Sequence, residues 1–121
     1  MAARKKSSKS KKPTDAVQCE CYEATLATDQ SGDVIKGLKL EKQEAIDLYR
    51  RNGYDIVVCG SDPRENRRAA SNIEHMASGA GNVIHHPGHA SAGANSLNHY
   101  QAIIPPPAGH CFYETKSQKA R

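Results

Sequence analysis

An α+β fold, with N-terminal helices packed on a small, mostly antiparallel β-sheet, is predicted by three observations. "LEKQEAIDLYRRNG" and "SDPRENRRAASNIEHMASG" carry helical periodicity with start and stop signals. "IVVC" is a short β-branched run closed by Gly60. "HYQAII" and "HCFYET" alternate in the manner of strands. The order helix, strand, helix, loop, strand, strand suits helices set against one sheet.

The elements follow in chain order. Residues 1–15 form a basic tail, and residues 16–121 form a single domain. Tyr22, Ala24 and Leu26 alternate with Glu23 and Thr25, a weak strand that ends at the turn signal "DQSGD". A helix is expected over about 40–52. Ala45, Leu48 and Tyr49 make its apolar stripe, Ile46 lies beside them, and Gly53 is its stop. "YDIVVCG" reads as a central strand, because four successive apolar residues need cover on both faces. The next helix has the clearest start: Asp62 as cap, Pro63 at the first helical position and Glu65 three residues after the cap. Ala69, Ile73, Met76 and Ala77 form its stripe, and Gly79 ends it. Beyond residue 80 periodicity is lost until His99. "PPPAG" then separates two strands as a stiff, open connection whose register the sequence leaves undecided.

Composition limits the function classes. The mean hydropathy is −0.72 and the hydrophobic fraction 37%, polar for a globular domain but not for a wholly disordered chain. No stretch is long and apolar enough to span a membrane. "MAARKKSSKSKK" holds six cations and no anion, while the remaining 11 Lys and Arg face 13 Asp and Glu, a balance of −2. The tail therefore reads as a disordered polyanion-binding or solubilising arm on an acidic body. No apolar stretch follows it, so a cytoplasmic location with reduced thiols is expected. Cys59 and Cys111 read as small buried hydrophobes, and C-x-C at Cys19 and Cys21 is too short for the usual metal knuckle.

Five of the six histidines lie in or beside "VIHHPGHASAGANSLNHYQ" and "GHCFYET". His75 sits near the end of a helix and reads as structural. Histidine exchanges protons near neutral pH, so a pair can act as base and acid in RNA cleavage without metal. The steadying cation would be Lys116, Arg64 or Arg68. Two other uses compete. "HHPGH" offers His85, His86 and His89 as metal ligands in an HNH-like nuclease, although the following segment is too short for a ββα unit. A non-catalytic RNA-binding or interaction module is the third.

"GYDIVVCGSDPRENRRAASNIEHM", the His-rich loop, "NHYQ" and "GHCFYET" together resemble the C-terminal toxin and effector domains of bacterial polymorphic toxin systems. These belong to the barnase, EndoU, colicin and RelE-like superfamily of metal-independent ribonucleases. The resemblance covers roughly residues 40–116. It implies N-terminal helices on a four-stranded antiparallel sheet, and RNA cleavage on that sheet with no cofactor and no metal. It places His99, His110 and Tyr113 in the active cleft, with His86 or His89 as the loop histidine. Tyr100 and Gln101 stand beside His99 as substrate-binding residues, with Lys116, Arg64 and Arg68. RNA is the implied partner and substrate, with room for a cognate immunity or inhibitor protein.

Overall fold

The computed structural model describes residues 19–88, 93, 95–104 and 109–121. The basic tail, His89 and the prolines of "PPPAG" lie outside the described residues. Strands β1 (Glu20–Leu26) and β2 (Val34–Leu40) come first. Helix α1 opens as an α turn (Lys42–Glu44), widens to a π turn (Ala45–Tyr49) and tightens to a 3-10 turn (Arg50–Asn52). Strand β3 (Ile56–Cys59), helix α2 (Pro63–Ser78) and strands β4 (Val83–His86), β5 (His99–Ala102) and β6 (Cys111–Tyr113) follow.

The strands form one six-stranded mixed sheet in the order β2-β1-β3-β6-β5-β4. Among the described residues β3 and β6 run parallel, and the other neighbouring pairs are antiparallel. The chain is therefore α+β. β1 is the weak strand expected before the first helix, but the chain departs from expectation in two ways: the sheet has six strands with one parallel pair instead of four antiparallel strands, and β2 and β4 were not foreseen. Both are edge strands. The interior of β2 is exposed from Ile35 to Lys39, so the alternation that marks a half-buried strand is missing. β4 is four residues of "VIHH" with no buried member.

β3 is the central strand the sequence predicts, with all four residues buried. Ile56 and Val58 join Ala45, Ile46, Ala70, Ile73 and Cys111 in one cluster on the α2 side. Val57 and Cys59 join Val34, Leu97 and Phe112 on the other side. Full burial of each of the three β-branched residues is worth about 1.5–3 kcal/mol. All four cysteines are free thiols, and Cys59 and Cys111 are buried as expected.

The helical stripes differ from the sequence reading for one shared reason. Leu48 is 57% and Met76 48% exposed, whereas Arg50 and Glu74 are buried. The π turn rotates Leu48 outward and Arg50 inward. Arg50 Nε then meets Glu74 Oε1 at 2.7 Å, so α2 turns a carboxylate inward instead of Met76. The start of α2 is as predicted: Asp62 Oδ1 accepts from the amides of Arg64 (3.0 Å) and Glu65 (3.4 Å). The Glu65 carboxylate pairs with Arg68. Asp62→Ala should lower stability by about 0.5–2 kcal/mol, read as a shift in the urea midpoint at unchanged slope. An unmoved midpoint would show that the cap contributes nothing. The full reciprocal capping box belongs instead to α1, where the Glu41 amide donates to Glu44 Oε1 at 2.8 Å.

Candidate active site

The register of three strands decides which imidazoles meet. His99 stands opposite His86 on β4 and opposite Phe112 on β6, while Tyr100 stands opposite His85 and Cys111. Side chains alternate across a strand. His86, His99 and Phe112 therefore share the face away from α2, and His110, two residues before Phe112, joins them. His85, Tyr100 and Tyr113 point to the α2 side.

On the far face the rings of His99 and His110 meet edge to face, with centroids 4.7 Å apart and planes at 81°. His86 lies 5.7 Å from His99. Phe112 is the common floor, 5.4 Å from His99 and 5.1 Å from His110. Leu26, Ala27, Leu97, Gly88 and the rings of His99, His110 and Phe112 border a cavity of about 180 Å³. That is smaller than the roughly 300 Å³ of a typical ligand pocket, with room for no more than one moiety of a larger molecule.

Both imidazoles are held from behind. His99 Nδ1 lies 3.2 Å from the Leu97 carbonyl, an acceptor only, so Nδ1 carries the hydrogen and Nε2 the lone pair. The Gln101 side chain hydrogen-bonds the same imidazole. Asp55 Oδ1 accepts from the His110 amide at 2.6 Å and from His110 Nδ1 at 3.3 Å, leaving His110 Nε2 outward. Gly109 is required just before it: a Cβ there would come within 2.5 Å of the Gly53 carbonyl oxygen and 2.8 Å of Asp55 Oδ1. Burial pushes the His99 imidazole down to about 4, helped by the neighbouring His110 and His86 and opposed by the Leu97 carbonyl. His99 is thus neutral at neutral pH.

The α2 side holds a separate network. His85 Nε2 lies 2.7 Å from the Tyr113 hydroxyl, and its ring is 4.7 Å from that of Tyr100. Arg67 Nε donates to the Tyr100 hydroxyl at 3.0 Å. Burial, Arg67 and His86 lower the His85 imidazole, and burial raises the Tyr113 phenol.

The sequence-predicted set is therefore divided. His86, His99, Gln101 and His110 come together. Tyr100, Tyr113, Arg64 and Arg68 lie across the sheet from them, because odd and even positions of β5 and β6 face opposite ways. Lys116 is exposed beyond β6, and His89 is outside the described residues. His85 and His86 diverge to opposite faces, so "HHPGH" cannot turn both imidazoles onto one ion while β4 remains a strand. Sequence reasoning missed Asp55 and the Leu97 carbonyl. The acid just before "IVVC" was the available signal for Asp55. Comparison with known proteins returns no matching family model, no matching curated protein and no matching solved structure.

Proposed function

We propose that the chain is a small metal-independent endoribonuclease that works through His99 and His110. The observation that carries this reading is the pair itself: two imidazoles in contact, each fixed by an acceptor behind Nδ1, each with Nε2 outward. The finer architecture goes with it: α1 and α2 back one face of the sheet, and RNA lies on the other.

The neutral His99 takes the proton of a ribose 2′-OH at Nε2. The 2′-oxygen bonds to phosphorus, and the bond from phosphorus to the 5′-oxygen breaks. His110, held by Asp55, donates a proton to that oxygen. The products are a 2′,3′-cyclic phosphate and a 5′-hydroxyl, and the two imidazoles have exchanged protonation states. An imidazole lowered to about 4 is a weak base in the empty site. A phosphate bound across the open edges of the two rings raises its proton affinity when substrate binds. His86 stands close enough to His99 to steady charge on the phosphoryl oxygens.

Purified protein should cut RNA equally well with and without EDTA, leave 2′-O-methylated RNA and plasmid DNA intact, and yield cyclic-phosphate ends. Cleavage that needs a divalent ion, or that proceeds on DNA, would overturn the reading, as would no cleavage of any RNA.

A further inference from the structure

The arginines of α2 form a surface that the histidine chemistry does not use. Arg64, Arg67, Arg68, Ser71, His75 and Tyr100 line an open groove of about 480 Å³. Arg68 pairs with Glu65 at 3.3 Å but stays 76% exposed, a weak and exchangeable contact. Among the described residues neither Arg64 nor Arg67 has a carboxylate partner. Arg67 is anchored through Nε on the Tyr100 hydroxyl. Three cations in the first turns of a helix oppose its dipole, and a bound anion would relieve that repulsion. Guanidinium groups match phosphate oxygens two at a time.

The groove and the histidine pair lie on opposite faces but beside the same edge. β4 is the outermost strand on that side, with His85 turned towards the groove network and His86 towards His99. Building on the ribonuclease reading, we propose that the arginine groove is a second phosphodiester site, which holds the backbone of single-stranded RNA some nucleotides away from the bond cleaved on the other face. The strand passes round the β4 edge. A nucleic-acid duplex cannot follow that path, because its persistence length of about 50 nm far exceeds the thickness of one sheet. The substrate class is thus single-stranded and longer than a dinucleotide.

The test uses the full chain and Arg64→Gln/Arg68→Gln. Binding of a labelled single-stranded oligodeoxynucleotide of about 12 residues, which lacks the 2′-OH and is not cut, is followed against salt. The slope of log affinity against log salt should flatten by about 1.4, roughly 0.7 for each lost phosphate contact. KM for an RNA of the same length should rise about tenfold, while turnover of a dinucleotide stays unchanged. Identical slopes and affinities for the two proteins would overturn the proposal. If neither RNA nor the dinucleotide is cut, yet oligonucleotide binding still depends on the arginines, the ribonuclease reading fails. The groove then stands as a single-strand binding site.

Discussion

His99→Gln and His110→Gln are each expected to lower RNA cleavage by about 10²–10⁴, the usual worth of a positioned general base or acid. Both side chains lie at the border of the cavity and neither is fully buried, so thermal midpoints should move by only a few degrees. His85→Gln, across the sheet, should leave catalysis nearly intact. The pH profile carries a second signature. His99 is held down to about 4, so it keeps its lone pair until the pH falls through that value. The acid limb of kcat/KM, which reports the free enzyme, should thus lie well below 6.5, the ordinary value for histidine. Stability shifts in the same window. The unfolded chain takes up the proton near pH 6.5 and the folded chain only near 4, so stability declines as pH falls from the first value to the second. In His99→Gln that decline should be shallower. Wild-type cleavage by both single variants would remove the imidazoles from the mechanism.

Arg50→Met should be the most destabilising single change, at about 3–5 kcal/mol. The Arg50 and Glu74 side chains are 3% and 0% exposed, and the substitution leaves the Glu74 carboxylate buried with only the Ser78 hydroxyl among its described partners. It also removes the donors to the Tyr54 carbonyl (2.7 Å) and the Gly109 carbonyl (3.2 Å). For a domain of this size the melting temperature should fall by more than about 10 °C. Arg50→Met/Glu74→Leu should recover much of the loss, because it removes the stranded charge together with its partner. A midpoint within a degree of the parent for Arg50→Met would show that the pair is not a structural lock. The two carbonyls adjoin Asp55 and His110, so the same guanidinium ties down both chain segments that hold the acid–base pair.

The legible parts of this fold are those where one local rule suffices. β3 was readable because four apolar residues in a row demand burial on both faces. α2 was readable because Asp62, Pro63 and Gly79 mark its ends. β2 and β4 were hidden because an edge strand needs no buried stripe, and "VIKGLKL" with its glycine and lysines fits none. Leu48 was misplaced because a π turn breaks the 3.6-residue period, and Met76 because the buried face of α2 keeps that period but includes the polar Asn66 and Glu74, which an apolar stripe passes over. In the candidate site, His99 and His110 were read from histidine's proton chemistry and from the resemblance of "NHYQ" and "GHCFYET", but only register could unite them. Register likewise separates Tyr100, Tyr113 and the arginines from them, since a single-residue step along a strand reverses the face.

The parallel pairing of β3 with β6 has a temporal consequence. Asp55 and His110, joined where those strands begin, are 55 positions apart in the chain, and Val58 meets Tyr113 across a comparable span. Closing so long a loop costs entropy before any contact repays it, and topologies dominated by such pairings fold slowly. β1 and β2 can form a hairpin early, whereas the middle of the sheet waits for its last strand. A growing chain on the ribosome therefore has every histidine of the cluster except His110 before it has a cluster at all. Whatever these imidazoles do, they begin doing it only after residues 109–113 have emerged and docked beside β3.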